Sequence, residues 1–361
     1  MYSREKTKKV RIGKISIGHS KKVVIQSMCN TKTSDVKATV SQILALEKAG
    51  CELIRVSVPD IDSAKAIEKI KNKIHIPLVA DIHFDYRLAL ASIERGIDKI
   101  RINPGNIGDV ENLKKVVTAC KKHKIPIRIG VNSGSLSKKI LSKYDGKVTA
   151  KGLYESAREN VRLLEKYDFD DIVVSIKASD VVTCIDAYKL FAGKYNYPLH
   201  IGITEAGTIL SGNIKSSVGL GILLYSGLGD TMRVSLTGEP INEIYSAKKI
   251  LQSLGLRDTG IEIVSCPTCA RTNIDIEKIA TRVEEILSDV KYEDKLKKSK
   301  KYKVAIMGCV VNGPGEAREA DIGIAGGKGE AILFRKGNIV KKISEKNIIK
   351  ELISQIERDL R

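Results

Sequence analysis

The strongest constraint on this chain is a pattern that repeats eight times in its first 250 residues. Each repeat has a short run rich in β-branched residues, then a polar loop, then an amphipathic stretch. The apolar runs begin at Val23, Glu52, Pro77, Asp98, Pro126, Asp171, Pro198 and Thr231. Strands that alternate with helical patterns indicate parallel βα units. Eight such units in about 250 residues predict a closed (β/α)8 TIM barrel.

An open doubly wound sheet is the structural alternative to a barrel. The glycine fingerprint of a dinucleotide-binding fold is missing after the first strand, which argues against that alternative. Residues 133–150 separate the fifth and sixth strands and are interpreted as a long loop. Long loops on a barrel often cover its active face.

The pattern changes after the eighth unit, where Leu254–Gly260 (LGLRDTG) is interpreted as a linker. Beyond it we expect a strand (IEIVS), a helix from about Ile274 to Val290, a strand (KVAIM), two short strands (DIGIA and AILFR) and a final helix. The chain is therefore predicted to be an α/β protein, with a TIM barrel over residues 1–256 and a smaller α+β domain over residues 257–361.

Composition narrows the class of protein. Hydrophobic residues make up 42% of the 361 residues, which excludes a disordered chain. No stretch approaches the ~20 apolar residues of a membrane helix, and the N-terminus lacks the apolar core of a signal peptide, so we expect a cytoplasmic protein without membrane association. The net charge of +19 is interpreted as a solvated, lysine-rich surface. Trp is absent and Phe occurs four times, so stacking platforms for nucleic acid are scarce.

The seven cysteines fall into two groups, and their odd number argues against a disulfide framework. Four are interpreted as small buried side chains, namely Cys29, Cys51, Cys120 and Cys184. The other three follow predicted strands: Cys266-Pro-Thr-Cys269 follows one, and Cys309 follows the next within GCVVNGPGE. Parallel pairing of these two strands would bring the three thiols together.

Several cofactors could use three cysteines. Zinc usually takes four ligands, no histidine lies near these motifs, and a Cys3Glu set with Glu316 is unusual for zinc. A redox pair at Cys266 and Cys269 would leave Cys309 unexplained. A 4Fe-4S cluster with three cysteine ligands and one unusual fourth ligand fits best.

Basic side chains interrupt five of the apolar strands. A buried charge is costly unless it is paired or meets a ligand, so five cations predict an anionic ligand in the barrel mouth. Arginine forks suit a diphosphate. Ion pairs with carboxylates elsewhere in the barrel are the alternative for any one of them. The five are Arg55, Arg101, Arg128, Lys177 and Arg233.

Further polar residues fall toward the C-terminal ends of the strands, where barrel active sites are built. Asp81 and His83 are two residues apart and therefore face the same side of their strand. They could position a substrate hydroxyl, relay a proton, or form a structural pair. The remaining members are Asn103, Asn132, Thr204, Glu205 and Ser235.

The motifs CPTCART and GCVVNGPGE, with the N-terminal IQSM-N-T, resemble the bacterial two-domain 4-hydroxy-3-methylbut-2-enyl diphosphate synthases, the iron–sulfur enzymes of the non-mevalonate isoprenoid route. The resemblance covers essentially the whole chain. It implies a TIM barrel followed by a 4Fe-4S domain, with Cys266, Cys269, Cys309 and Glu316 as cluster ligands. Cys29 stands where the family usually has threonine.

The resemblance also implies a substrate site. Asn312 would approach the substrate from the cluster domain. The barrel would contribute Arg55, Asp81, His83, Arg101, Arg128, Asn132, Lys177, Thr204, Glu205, Arg233 and Ser235.

The implied reaction is reductive ring opening of 2-C-methyl-D-erythritol 2,4-cyclodiphosphate to 4-hydroxy-3-methylbut-2-enyl diphosphate and water. Flavodoxin or ferredoxin would deliver the electrons, Glu316 would be displaced from the cluster by substrate, and Glu205, with His83 second, would donate a proton. A head-to-tail homodimer is implied, in which each cluster caps the partner's barrel. A redox-neutral iron–sulfur dehydratase and a zinc-stabilised nucleic-acid-binding protein remain the alternatives.

Overall fold

The computed structural model describes residues 3–257, 260–296, 301–309 and 318–360. The chain divides into two compact units, Met1–Arg257 and Asp258–Arg361. Across the described ranges, no helix combines the length and hydropathy needed to cross a bilayer.

A two-stranded antiparallel hairpin opens the first unit, with strands β1 (Val10–Ile12) and β2 (Ile15–Ile17). Eight parallel strands follow: β3 (Val24–Met28), β4 (Leu53–Ser57), β5 (Leu78–Asp81), β6 (Lys99–Ile102), β7 (Ile127–Asn132), β8 (Ile172–Lys177), β9 (His200–Ile201) and β10 (Thr231–Met232). Their order is β8-β7-β6-β5-β4-β3-β10-β9. A parallel bridge between Val174 and Leu199 joins the two ends of this sheet. The predicted (β/α)8 barrel is confirmed.

Helices connect successive strands around the barrel. They are α1 (Val36–Lys48), α2 (Ile61–Lys71), α3 (Tyr86–Glu94), α4 (Val110–His123), α5 (Lys138–Ser142), α6 (Ala150–Glu165), α7 (Val181–Ala192), α8 (Ile209–Tyr225) and α9 (Pro240–Ser253). The short helix α5 lies in the segment that the sequence analysis interpreted as a loop. This helix is stabilised by its N-cap, Ser137, and by burial of Ile140. That segment is therefore more ordered than the sequence suggested.

Aspartate side chains start many of these helices. In each case the carboxylate accepts a hydrogen bond from a backbone N–H of the first turn, which has no partner within the helix. The capping residues are Asp35, Asp60, Asp85, Asp109 and Asp180. The sequence thus sets where these five helices begin, and with it the length of the loop that precedes each of them.

The N-terminal hairpin closes one end of the barrel interior. Val10, Ile12 and Ile17 of the hairpin pack against Val24 and Leu53 of the strands. The sequence interpretation missed this hairpin because strands of three residues carry almost no alternation signal. Since these contacts involve the first residues of the barrel strands, the opposite, C-terminal end is left for a ligand.

The second unit is a five-stranded sheet with helices on one face. Its elements are β11 (Ile261–Ser265), α10 (Ile276–Leu287), α11 (Val290–Leu296), β12 (Tyr302–Met307), β13 (Ile322–Gly326), β14 (Glu330–Arg335), β15 (Asn338–Ser344) and α12 (Ile348–Asp359). The strands run in sequence order, the first three parallel and the last two antiparallel. Strand β15 was not predicted, because its residues are mostly exposed on both faces.

Candidate functional site

Strand register arranges the barrel interior in levels of four side chains, each level drawn from alternate strands, as is typical of TIM barrels. Counted from the end that the hairpin closes, the first of these levels contains Leu53, Lys99, Val173 and Thr231. The second contains Gln26, Val79, Arg128 and His200. The third contains Arg55, Arg101, Ser175 and Arg233. Above them lie Met28, Asp81, Gly130 and Gly202. A TIM barrel interior is commonly filled by branched apolar residues, whereas this one is strongly polar and basic.

Asp81 is the acidic centre of the upper levels. Its carboxylate lies 3.0 Å from Arg101 Nη1 and 3.6 Å from Arg55 Nε. Burial alone would raise the pKa of this carboxyl, but the Arg55 charge, the neighbouring His83 ring and the Arg101 charge outweigh burial and hold the pKa well below its usual range. Asp81 is therefore an anion that fixes two guanidinium groups.

A second carboxylate orients Arg233. Glu243, in the first turn of α9, accepts hydrogen bonds from Arg233 Nη2 at 2.9 Å and Nε at 3.0 Å. The same carboxylate accepts from the Ser27 hydroxyl at 2.8 Å. No feature of the sequence marked Glu243, because it belongs to a helix that only the fold brings beside the strand end.

Arg128 and Lys177 have no acidic partner among the described residues. Burial, followed by the charges of neighbouring arginines, lowers the pKa of both groups well below the ordinary values. An unpaired buried cation is costly, and an anionic ligand relieves that cost. Arg55, Arg101 and Arg233 thus form ion pairs with carboxylates of the barrel, which was the alternative to ligand binding. Arg128 and Lys177 favour the hypothesis that an anionic ligand binds in the barrel mouth.

Glycines on neighbouring strands leave room for the side chains of these cations. A Cβ atom on Gly202 would lie 2.8 Å from Lys177 Nζ, and a Cβ atom on Gly130 would collide with the Arg101 guanidinium. Both glycines occupy the level of Asp81, directly above the arginines. The glycines therefore keep the cations accessible from the mouth.

The remaining predicted residues line the rim. His83 lies 3.7 Å from Asp81 and its side chain is 57% exposed. Thr204 and Ser235 are half-buried. With its amide oriented to satisfy its neighbours, Asn132 accepts from Arg101 Nη2 at 3.2 Å. The structure thus gathers these side chains at the same end of the barrel as the cations.

Glu205 is exposed and has a left-handed backbone, with φ of 52°. This conformation costs about 1 kcal/mol or more for a residue other than glycine, and such residues cluster at functional sites. Asn103 has a structural role, because its buried side chain accepts from the Gly105 N–H. Cys29 is also buried, and burial followed by the nearby Cys51 raises its pKa to about 12. Its thiol is therefore inert.

Two further residues, besides Glu243, were missed from the sequence. The Met28 thioether accepts from Arg55 Nη2 at 2.8 Å and lies 3.6 Å from Arg233 Nη1. Lys99 precedes Arg101 by two residues, and its side chain is fully buried inside the barrel. The alternation Lys-Ile-Arg in β6 could have revealed Lys99, because residues two apart share a strand face.

In the second unit, the cysteine motifs leave adjacent parallel strands. Ser265 pairs with Ile306, so Cys266 and Cys309 follow the same edge of the sheet. Cys266 Sγ accepts from the Gly308 N–H at 3.2 Å, and the Asn273 N–H donates to the Gly308 carbonyl at 3.0 Å. The predicted parallel pairing of the two strands is confirmed, and it places Cys266 beside the residue that precedes Cys309.

These residues suit a thiolate-ligated cluster. Backbone N–H groups that donate to ligand sulfur are among the features that tune such clusters. Hydrogen bonds from the backbone and side chain of Arg271, and from Thr272, lower the pKa of the exposed Cys269 thiol. Cys309 is buried. Asn312 and Glu316 lie outside the described residues, and within the described part no three His, Cys, Asp or Glu side chains converge on a metal position.

Two family models together match almost the whole chain. The GcpE TIM-barrel domain matches residues 7–248, and the GcpE protein C-terminal domain matches residues 262–358. The 4-hydroxy-3-methylbut-2-en-1-yl diphosphate synthase (flavodoxin) of Clostridium perfringens is 58% identical over 355 residues, covering 98% of this chain and 99% of the relative. The protein of that name from Caldanaerobacter subterraneus is 57% identical, with 98% of both chains covered.

Solved structures resemble the chain only distantly. The Yersinia pestis dihydropteroate synthase matches 69% of this chain and 99% of its own, with 12% identity and a TM-score of 0.47. A likeness this low carries no inference.

Proposed function

This chain belongs to the GcpE family, and from that premise we propose that it catalyses the reductive ring opening of 2-C-methyl-D-erythritol 2,4-cyclodiphosphate to 4-hydroxy-3-methylbut-2-enyl diphosphate and water. The reaction consumes two electrons and the protons that balance them. The observation that carries the proposal is the set of buried cations, Arg128 and Lys177 above all, that face the barrel interior without an acidic partner among the described residues.

The cations bind the diphosphate. Guanidinium forks form paired hydrogen bonds to phosphate oxygens, and a water-poor site strengthens each of them. Asp81 and Glu243 hold Arg55, Arg101 and Arg233 in fixed directions before substrate arrives. Preorganised donors need no reorientation when the ring C–O bond breaks, so they can stabilise the charge that develops on oxygen.

A proton must reach the oxygen that leaves as water. Glu205 is exposed at the rim and is the proposed donor, with His83 second. His83 lies 3.7 Å from the Asp81 carboxylate, which can orient its ring. The strained backbone of Glu205 supports a role that a relaxed turn residue would not need.

Cys266, Cys269, Cys309 and Glu316 would hold a 4Fe-4S cluster. When bound, such a cluster supplies electrons one at a time and offers one iron that is not ligated by cysteine. The chain's own contribution is hydrogen bonding at these sulfurs: the Gly308 N–H donates to Cys266 Sγ, and hydrogen bonds from Arg271 and Thr272 lower the pKa of Cys269. The curated relatives carry the word flavodoxin in their names, which supports flavodoxin as the electron donor here.

The test is anaerobic reconstitution with iron and sulfide, followed by an assay on the cyclic diphosphate with and without a reductant. We expect a brown protein and turnover that requires the reductant. Arg128→Met should abolish turnover while leaving the visible spectrum unchanged. Turnover without reductant would favour the redox-neutral dehydratase, and a colourless zinc protein would favour the nucleic-acid-binding alternative.

A homodimer is part of the proposal, and helix α8 supports it. Lys215 is the one charged residue among the 17 of this helix, which has an apolar side facing the barrel and another facing outward. Leu210 and Tyr225 are 74% and 86% exposed on the outward side, with Ile214, Val218 and Ile222 between them. Large apolar side chains on two opposite sides of a helix indicate that both sides are normally covered. A second copy would supply the missing cover. The head-to-tail arrangement and the cytoplasmic location remain predictions.

A further inference from the structure

Beneath Arg55, Arg101 and Arg233 lies an inner polar cluster, which we define as Gln26, Lys99, Arg128 and His200. The four side chains come from four different strands, β3, β6, β7 and β9, and each is at most 1% exposed. Several of their polar atoms have no hydrogen-bond partner among the described residues. These atoms are both amide atoms of Gln26, Lys99 Nζ, Arg128 Nε and Nη1, and His200 Nε2.

The inner polar cluster contains two cations and no acid. By strand register, the levels of Lys99 and Arg128 otherwise hold Leu53, Val79, Val173 and Thr231. Asp81 lies two levels above Arg128 and is already paired with Arg101 and Arg55. Within the described part of the chain, Lys99 therefore has no counter-ion.

The unpartnered atoms are mostly donors. The Thr231 hydroxyl lies 2.7 Å from His200 Nδ1. When this hydroxyl donates to Nδ1, the ring hydrogen resides on Nε2, which becomes a donor toward the cluster. Lys99, Arg128 and the Gln26 amide nitrogen add further donors, against the single Gln26 oxygen as acceptor. Water can satisfy donors, but it does not neutralise two buried charges.

We propose that the inner polar cluster binds a small inorganic anion such as chloride, at a site that lies below the diphosphate and shares Arg128 with it. Enclosure favours an ion without an organic tail, because the hairpin closes the barrel below and the arginine level lies above. The ion accepts from Lys99, Arg128 and His200 and neutralises one of the two positive charges, which leaves the other to be neutralised by the diphosphate. It also fixes the position of Arg128, which binds the diphosphate in the proposed function. The inference rests on buried charge and stands whether or not the proposed reaction is correct.

The pKa shifts of Lys99 and His200 give additional support to this proposal. Burial, followed by the Arg128 and Arg55 charges, lowers the pKa of Lys99 well below its usual value. Burial and the same neighbourhood of cations also lower the pKa of His200. A bound anion would stabilise the protonated lysine and raise its pKa back toward the ordinary value.

The direct test is a crystal structure of the full chain grown in bromide, with diffraction recorded at the bromine absorption edge. We expect an anomalous peak within hydrogen-bonding distance of Lys99 Nζ and Arg128. Water density without an anomalous signal would overturn the proposal. So would a bromide peak that disappears when inorganic diphosphate is added, because the ion would then belong to the substrate site.

Thermal unfolding in solution provides an independent measurement. Sodium bromide is compared with sodium gluconate, whose anion is too large for the inner polar cluster, at equal ionic strength. We expect bromide to raise the midpoint of the wild-type chain by about 2 °C or more. Lys99→Met should remove this rise, whereas Lys121→Met, at an exposed position of α4, should retain it. An equal rise in all three chains would contradict the proposal. The crystallographic test stands if Lys99→Met fails to fold.

Discussion

At the scale of single residues, charge pairing inside the barrel decides which cations are structural and which await a ligand. Asp81 satisfies Arg55 and Arg101, and Glu243 satisfies Arg233. A sequence shows that a strand contains an arginine, but it does not show which carboxylate lies beside that arginine. The five cations of the sequence pattern are therefore not equivalent.

Asp81→Asn tests the pairing role of this carboxylate. Removing one partner of a buried pair leaves uncompensated charge, so the free energy of unfolding at pH 7 should fall by about 3–5 kcal/mol. Because the folded-state pKa of Asp81 is depressed, its contribution is present above the unfolded pKa of about 3.9 and is lost as pH falls through the folded value. Urea unfolding of the wild type and of Asp81→Asn between pH 3 and 7 measures the difference in their free energies of unfolding and its decrease at low pH.

Asp62→Asn is the control for that experiment, because Asp62 is an exposed acid whose side chain is 75% accessible. Its unfolding free energy should change by about 0.5 kcal/mol or less. Equal effects of the two substitutions would contradict the assigned role of Asp81.

Glu205→Gly separates backbone strain from catalysis. Glycine adopts the left-handed conformation without penalty, so the chain should become more stable by up to about 1 kcal/mol while turnover is lost. Asp168→Gly is the matched control, since Asp168 has a φ of 50° in the turn before β8. It should show a similar gain with full turnover. Retained turnover in Glu205→Gly would remove Glu205 as the proton donor.

At the scale of elements, short and exposed segments carry more of the architecture than their patterns suggest. The hairpin of β1 and β2 closes the barrel end, and β15 extends the second sheet. Surface helices usually expose polar residues on the side that faces solvent, whereas helix α8 exposes large apolar side chains there. Each of these elements affects stability or assembly.

Ile12→Ala tests whether the hairpin is part of the barrel core. Ile12 is fully buried, so its truncation should lower the free energy of unfolding by about 2–5 kcal/mol. Arg11 lies between Val10 and Ile12 and faces solvent, so Arg11→Ala should have little effect. Urea denaturation measures the free energy of unfolding of both variants. A small loss in Ile12→Ala would show that the hairpin is dispensable.

Val218→Lys tests the outward side of α8 as a subunit interface. A charge placed in an apolar contact should raise the dimer dissociation constant by about tenfold or more. Val110→Lys is the matched control, because Val110 is an exposed valine on α4 that the proposal does not involve. Sedimentation equilibrium measures both. An unchanged dimer in Val218→Lys would exclude this side of α8 as the interface.

At the scale of the whole molecule, the proposed activity needs side chains from both units of the chain. Binding is assigned to the barrel and redox chemistry to the second unit. In the proposed head-to-tail homodimer, each active site combines the barrel of one protomer with the cluster domain of its partner. Defects in the two units should therefore complement each other.

A mixing experiment tests that arrangement. Arg128→Ala removes the barrel function and Cys309→Ala removes a cluster ligand, so each variant alone should be inactive. After subunit exchange, random pairing should restore about a quarter of the wild-type sites, since half of the dimers are mixed and each has one intact site. Mass spectrometry establishes that mixed dimers form. Mixed dimers without turnover would show that each site is built within one protomer.

The sequence by itself determined the order of strands and helices, the helix starts at aspartate caps, and the two cysteine motifs at neighbouring strand ends. These properties are local, because they depend on spacing along the chain. Only the tertiary structure decided which cations are paired, that Glu243 and Met28 join the site, and that Lys99 lies below it without a partner among the described residues. Those outcomes depend on which side chains the closed barrel brings together across hundreds of residues, and spacing along the chain carries no record of such distances.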